Sequence, residues 1–213
     1  MYLCKIEPNT ELLLRRSRGE SPLYLFHRLL WQLFPVDEKA NRDFLFRLNT
    51  DGQRYEVLVL SKREPDQAEW CKSFKKKEFT PSLSSGQLLG FRVRVNPVVR
   101  GKSDGKRHDA VMHYKKKNSE KTHQEAVYEA SSEWLAARLN KCGAEVQKKS
   151  FRADSYQQVA VSDGSRQIRF STIDLCGNLK VLKPDLLVDL VGQGLGSSKS
   201  FGCGLMLLRS SLP

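Results

Sequence analysis

The sequence contains no apolar run long enough to cross a membrane. A membrane-spanning helix needs about 20 consecutive, mostly apolar residues, and no such stretch occurs among the 213 residues. The opening residues MYLCKIE also lack the apolar centre of a secretory signal peptide. Hydrophobic residues make up 39% of the chain, which is enough for a buried core. We therefore expect a folded protein that remains in the cytoplasm and has no membrane partner.

Metal-binding and disulfide patterns are also missing from the sequence. The five cysteines are scattered and never spaced as Cys-x-x-Cys, so neither a disulfide framework nor a zinc site is indicated. No carboxylate or cysteine lies at a metal-binding spacing from His108, His113 or His123. No pair of carboxylates suggests two-metal catalysis. The sequence thus predicts neither a metal ion nor a cofactor.

Positive charge, in contrast, is abundant. Lysine and arginine number 36 against 24 acidic residues, and the net charge of +12 is typical of nucleic-acid-binding proteins. A single basic run is ordinarily a solvated face, but several runs here are interleaved with aromatic residues, which suits a phosphate backbone. The basic candidates for RNA contact are Arg92, Arg94, Lys102, Lys106, Arg107, Arg166 and Arg169.

Residues 1–84 predict a small domain of strands and one helix. Residues 22–34 carry apolar side chains at helical spacing. The turn sequence at residues 49–52 lies between two alternating runs and predicts a hairpin. The predicted strands are residues 2–6, 44–48, 55–60 and 73–79. A linker at residues 81–86 places the end of this domain at residue 84.

Residues 85–213 predict a second domain of similar order. Its predicted helices are residues 125–139 and 184–191. A basic loop is predicted at residues 100–108 and a turn at residues 176–178. The predicted strands are residues 91–95, 144–150, 157–161, 167–175, 179–182 and 204–209. Strand, helix, strands, helix and strand is the order of a βαββαβ unit. The predicted fold class is therefore α+β, with two tandem ferredoxin-like (RRM-like) domains.

One helix edge has side chains suited to proton transfer. At 100° per residue, Tyr24, His27 and Trp31 form a strip beside the apolar strip of residues 22–34. A histidine both accepts and donates protons near neutral pH, since its ordinary pKa is about 6.5. The same spacing also suits an ordinary histidine at an interface between packed elements.

The sharpest local pattern is the glycine-rich run at residues 192–204. Five glycines in thirteen residues allow backbone amides to approach an anion closely. The run follows a predicted helix instead of opening one, and Ser198 replaces the glycine of a Walker loop, which disfavours known nucleotide-binding loops. A glycine-rich bend that leads into an edge strand is the structural alternative. The candidates for phosphate contact are Gly194, Gly196, Lys199 and Ser200.

Four segments together resemble the CasE family of repeat-processing ribonucleases, a branch of the RAMP proteins. They are MYLCK at the start, Tyr24-x-x-His27 followed by WQLFP, RVRVNP at residues 92–97, and GLGSSKSFGCGL at residues 194–205. The resemblance implies two ferredoxin-like domains, a CRISPR repeat RNA stem-loop as substrate, and other Cascade subunits as partners. It also implies that the protein stays bound to its mature product RNA.

The resemblance further implies a metal-independent reaction. A ribose 2′-hydroxyl attacks the adjacent phosphate at the 3′ base of the stem and leaves a 2′,3′-cyclic phosphate and a 5′-hydroxyl. His27 is then the general acid or base, and Tyr24 orients the ribose or phosphate. Some relatives have a lysine shortly after the histidine, where this chain has Trp31 and Gln32. Lys199 or the loop at residues 102–107 is the expected source of the missing charge.

Two other functions remain open from the residues alone. The first is a non-catalytic subunit of the same fold that binds an RNA hairpin. The second is a nucleotide-binding regulator that uses the glycine-rich run. Cleavage of a repeat hairpin distinguishes the ribonuclease from both.

Overall fold

The first part of the chain forms a four-stranded antiparallel sheet. In its first strand, Cys4 and Ile6 are buried while Lys5 and Glu7 are exposed, which is the alternation of a strand with one covered face. The computed structural model describes residues 1–17, 19–34, 42–52, 54–101, 104–162 and 167–210. The strands, in sheet order, are β2 (Phe44–Thr50), β3 (Tyr55–Ser61), β1 (Tyr2–Pro8) and β4 (Cys71–Glu78).

Two helices precede β2. The predicted helix at residues 22–34 is α2 (Pro22–Leu30), which continues as a 3-10 turn at Trp31–Leu33. A shorter helix, α1 (Thr10–Arg16), was not predicted, because only one of its residues is buried and it has no apolar periodicity. Its start is fixed instead by Asn9, whose side chain accepts hydrogen bonds from the first-turn amides.

The second part of the chain forms a sheet with the strand order β11-β5-β10-β8, in which β9 also pairs with β10. Its helix α4 begins at a capping box between Thr122 and Glu125, a strong start signal in the sequence. The elements are β5 (Leu88–Val95), β6 (Val98–Arg100), β7 (Arg107–Asp109), α3 (Ala110–Lys117), α4 (His123–Leu139), β8 (Ala144–Val146), β9 (Arg152–Ser162), β10 (Gln167–Val181), α5 (Pro184–Gln193) and β11 (Met206–Ser210).

Both sheets have the strand order of a ferredoxin-like fold. In each sheet the first strand lies in the middle, between the last strand and the third, and all pairs are antiparallel. In the first sheet, a loop at residues 62–70 replaces the second helix, and its Trp70 is fully buried. In the second sheet, β8 and β9 share the place of the second strand. The predicted α+β class with two tandem ferredoxin-like domains is confirmed. The boundary between residues 84 and 85 stays a prediction.

Three predictions for the second half are wrong. Residues 176–178 do not turn but lie inside β10, where Gly177 allows close approach of another segment: a Cβ there would lie 3.0 Å from the Ser150 carbonyl oxygen. The predicted strand at 144–150 ends at Val146, because residues 148–150 form a 3-10 turn. The predicted basic loop at 100–108 is too long at both ends, since residue 100 ends β6 and residues 107–108 belong to β7.

The two halves pack against each other through apolar and charged contacts. Leu45 and Leu60 of the first sheet form a buried cluster with Val191 of α5 and Leu205. Beside this cluster lies an ion network that crosses the junction. Its members are Arg47 of β2, Asp174 of β10 and Arg94 of β5.

Candidate active site at the junction of the halves

His27 lies on the edge of α2 that faces the second half of the chain. Its ring centroid is 5.8 Å from that of Phe201 and 6.3 Å from that of Tyr24. Phe26, next to it in sequence, is fully buried, while Tyr24 and His27 are only partly covered, as the helical spacing predicts. The Nδ1 atom of His27 is buried and has no hydrogen-bond partner within the part of the chain that the structure describes.

The glycine-rich run forms a bend between α5 and β11. Gly194 and Gly204 have positive φ angles, and the amide of Leu195 donates to the Gly204 carbonyl, which closes the bend. A Cβ at Gly204 would lie 2.9 Å from the Leu195 carbonyl oxygen, and one at Gly194 would lie 2.7 Å from the Leu45 side chain. The glycines therefore permit a close-packed bend, which supports the structural interpretation of the run without testing its contact with phosphate.

At the tip of this bend is a short 3-10 turn, Lys199–Phe201, that reaches α2. Ser198 precedes it in the left-handed conformation, with φ 56°. The backbone of Ser200 lies close enough to His27 to influence its pKa. The Lys199 ammonium donates to the Gln193 carbonyl at 2.7 Å. The fold thus brings three predicted site residues together at one point: His27, Lys199 and Ser200.

The environment of His27 favours the neutral imidazole. Burial lowers its pKa below the ordinary value, and the positive charge of Arg42 lowers the pKa further. The nearby Ser200 backbone opposes these two effects on the pKa but does not outweigh them. At neutral pH the imidazole is therefore mostly unprotonated and able to accept a proton.

Arg42 is a residue of this site that the sequence analysis missed. Its positive charge lowers the pKa of Lys199 as well as that of His27, although for Lys199 burial is the larger cause. Arg42 belongs to no helical or strand pattern, and it precedes β2 by two positions. Its approach to His27 arises only when the sheet and the helix pack, so no spacing in the sequence indicates it.

A basic cavity of about 500 Å3 continues from the site along the second half. Its lining includes Arg107, Arg169, Phe170 and Ser198. Phe170 stacks on Phe201 with ring centroids 5.7 Å apart, and Phe201 in turn contacts His27. Two predicted RNA contacts therefore lie on a surface that leads directly to the histidine.

The other predicted RNA contacts are more widely distributed. Arg92 is exposed in a separate groove of about 660 Å3, which also contains Arg152 and Arg209. Arg94 forms an ion pair with Asp174 and donates to the Leu48 carbonyl, so it holds the two halves together. Lys106 is exposed beside β7, Gly196 packs close to Trp134, and Lys102 and Arg166 lie outside the described residues.

The end of the β9–β10 hairpin also touches α2. The amide of Ser21, the N-cap residue of α2, donates to the carbonyl of Ser162, the last residue of β9. This contact links the start of the histidine-bearing helix to the hairpin that carries Arg169.

Two other kinds of feature are absent from the described ranges. No three histidine, cysteine, aspartate or glutamate side chains there form a group that could hold a metal ion. Among the same residues, none of the helices combines the length and apolar character needed to cross a bilayer.

Comparison with known proteins places this chain among CRISPR-associated proteins. Residues 1–210 match the CRISPR_assoc family, described as CRISPR associated protein. The chain is 32% identical to the CRISPR system Cascade subunit CasE of Escherichia coli, over 98% of each chain. It is 28% identical to the CRISPR-associated endoribonuclease Cse3 of Thermus thermophilus, over 97% of this chain and 98% of the relative.

A solved structure adds a bound RNA to this comparison. Thermus thermophilus Cse3 bound to an RNA that represents a pre-cleavage complex superposes with a TM-score of 0.76 and 26% identity. The match covers 98% of both chains. The similarity therefore extends over both halves and the junction between them.

Proposed function

Since the chain belongs to the CRISPR associated protein family, we propose that it is an endoribonuclease that cuts CRISPR precursor RNA at its repeat stem-loop. The observation that carries this proposal is the neutral, half-buried His27, which contacts the glycine-rich bend at the end of a basic cavity. Such a group transfers protons, and the cavity suits a phosphate backbone.

The named relatives support both the activity and the partners. The E. coli relative is a Cascade subunit, and the Thermus relative is an endoribonuclease whose solved structure holds RNA. Because each match spans nearly the whole of both chains, the same substrate class and the same assembly apply here. The protein then acts on the repeat RNA, joins other Cascade subunits and works in the cytoplasm, where the precursor is transcribed.

The proposed reaction needs proton transfer and positioning but no metal. The ribose 2′-oxygen forms a bond to the neighbouring phosphorus as the bond from phosphorus to the 5′-oxygen breaks. One proton leaves the 2′-hydroxyl and one reaches the 5′-oxygen, and His27 carries out one of these transfers. The products are a 2′,3′-cyclic phosphate and a 5′-hydroxyl. Tyr24, one helical turn from His27, orients the ribose or the phosphate.

The RNA stem lies along the basic cavity in this proposal. Arg107 and Arg169 contact its phosphates, and Phe170 lies between them and His27. The cut at the 3′ base of the stem then falls beside the bend. Retention of the product follows, since most of these contacts are to the stem and remain after cleavage.

Cleavage of the repeat hairpin in EDTA tests this function. We expect wild-type protein to cut the hairpin from its own CRISPR locus in excess EDTA, with a cyclic phosphate on the upstream product. A matched hairpin with a single 2′-deoxy nucleotide at the cut should bind equally well and remain intact. Tight binding without any cleavage of the normal hairpin would favour the non-catalytic subunit, and cleavage that requires added metal would contradict the proposed mechanism.

A further inference from the structure

Arg42 has an unusual environment for an arginine in the described part of the chain. One guanidinium nitrogen, Nη1, is buried and has no hydrogen-bond partner among the described residues. The adjacent carboxylate, Asp43, is occupied by Arg63, whose Nε and Nη2 atoms donate to it at 2.7 and 2.9 Å. Burying a cation without a counter-ion is costly. This cost is expected where an anionic ligand completes the site.

The surroundings of Arg42 contain further nitrogen groups. His27 and Lys199 both lie within reach of its charge. The strand that follows Arg42 packs under the glycine-rich bend, since a Cβ at Gly202 would lie 3.3 Å from the Phe46 ring. No ion pair between any of these three cationic or basic side chains and a carboxylate occurs among the described residues. The charge of this cluster is therefore complementary to that of an anion.

We propose that Arg42 is a catalytic residue that contacts the non-bridging oxygens of the scissile phosphate and stabilises the charge that develops there. The inference rests on the proposed function. The phosphate has one negative charge before attack and gains a second as the 2′-oxygen adds and the proton leaves. A guanidinium binds two such oxygens at once. Arg42 thus supplies the positive charge that Trp31 and Gln32, one turn after His27, do not.

The position of Arg42 also controls the protonation of His27. The groups that face the imidazole are Arg42 before β2, Lys199 and the Ser200 backbone on the bend, and Tyr24 on its own helix. Removal of the Arg42 charge takes away one cause of the low pKa of His27, so the pKa rises. Whichever limb of the pH–rate profile reports His27, its midpoint moves to higher pH.

Single-turnover cleavage by Arg42→Gln, Arg42→Lys and Arg28→Gln tests this inference. Arg28 is the matched control, because it follows His27 on α2 but forms an ion pair with Glu20. For Arg42→Gln we expect a rate about 10² to 10³-fold below wild type. Affinity for the 2′-deoxy hairpin should fall by less than about tenfold, and the His27 midpoint should move up. Arg42→Lys should keep the wild-type midpoint, and Arg28→Gln should keep both rate and midpoint.

The outcomes distinguish failure of the proposed function from failure of the inference about Arg42. An inactive wild type would overturn the proposed function, and this inference with it. An active wild type and an equally active Arg42→Gln would overturn the inference alone. Equal losses of rate and affinity would also overturn it, since Arg42 would then bind the RNA without favouring the transition state. If Arg42→Gln does not fold, as thermal melting would show, an upward midpoint in folded Arg42→Lys counts against the inference.

Discussion

The two halves of the chain share a strand order but differ in what is added to it. The first half is reduced, since a loop at residues 62–70 stands where a second helix would be. The second half is enlarged by the β6–β7 pair, by α3 and by the long β9–β10 hairpin. The additions carry Arg107 and Arg169, while the helix of the reduced half carries His27. In the proposed function, the same fold provides proton chemistry in one copy and an RNA surface in the other.

This division places the candidate site at the junction of the halves. His27 and Arg42 come from the first half, and Lys199 and Ser200 come from the second. Neither half contains the complete site. Three kinds of variant test this arrangement. They remove a side chain of the candidate site from one half, the ion network between the halves, or one proposed phosphate contact.

The largest effect on the cleavage rate is expected from removal of the His27 imidazole, the proposed proton carrier of the first half. His27→Ala should lower the single-turnover cleavage rate by about 10² to 10⁴-fold, the usual contribution of general acid–base catalysis. Hairpin affinity should stay near the wild-type value, because the proposed phosphate contacts, Arg107 and Arg169, lie in the second half. His123→Ala, which removes an exposed histidine of α4, is the control and should cut normally. Equal rates for wild type and His27→Ala would assign the chemistry elsewhere.

The next largest effect, on stability, is expected from loss of the ion network that joins the halves. Asp174→Asn leaves the guanidinium of Arg47, whose side chain is 1% exposed, buried without a counter-ion. We expect a loss of about 3 to 5 kcal/mol in the free energy of unfolding, measured with urea. Asp43→Asn removes the more exposed Arg63 pair inside the first half, and should cost at most about 1 kcal/mol. Similar losses for the two variants would contradict a special role of the junction.

The same carboxylate predicts how stability depends on pH. Burial alone would raise the pKa of Asp174, but the hydrogen bond from Arg94 and the charges of Arg47 and Arg94 outweigh burial and hold it below the ordinary value of 3.8. The stabilisation is therefore complete above the ordinary pKa of an unfolded aspartate. It disappears as the pH falls through the lowered value. Urea unfolding below pH 4 should show this loss in wild type and not in Asp174→Asn.

A smaller loss of stability is expected from substitution of a glycine in the glycine-rich bend. Gly204→Ala places a methyl group 2.9 Å from a backbone carbonyl oxygen at a positive φ, and we expect a loss of roughly 2 to 3 kcal/mol. Gly52→Ala meets the same backbone restriction with no atom within 4 Å, and should cost about 1 kcal/mol. Thermal unfolding of both variants measures the difference. Equal losses would show that the bend tolerates a side chain.

The smallest effect concerns one phosphate contact of the RNA surface. Arg169→Ala should weaken hairpin binding and reduce the slope of log affinity against log salt by about 0.7 to 0.9. Lys180→Ala removes an exposed charge from the other end of β10, roughly 36 Å away by strand geometry, and should leave the slope unchanged. Titrations at several salt concentrations measure both. An identical slope for wild type and Arg169→Ala would remove Arg169 from the interface.

Long periodic elements could be predicted from the sequence. The β2–β3 hairpin and α5 each have a clear apolar period, and α4 has a recognised start signal in the capping box of Thr122 and Glu125. Short elements were missed. In α3, only Ala110 and Val111 are buried, so no apolar face marks it as a helix.

The candidate site was only partly predictable for a different reason. His27 and the glycine-rich run are local patterns, and each is visible in the sequence. Arg42 has no local pattern, since its approach to His27 depends on packing between α2, the segment before β2 and the bend. The prediction of a turn at Gly177 was wrong for a similar reason. This glycine is required by the close approach of Ser150, which is distant in the sequence, and not by a turn among its neighbours.

The hydrogen bond between Ser21 and Ser162 connects the β9–β10 hairpin with the histidine-bearing helix. It joins the outer end of the β9–β10 hairpin to the N-cap residue of the helix that carries His27. In the proposed function, RNA bound at Arg169 therefore contacts the same hairpin that is hydrogen-bonded to the start of the histidine-bearing helix.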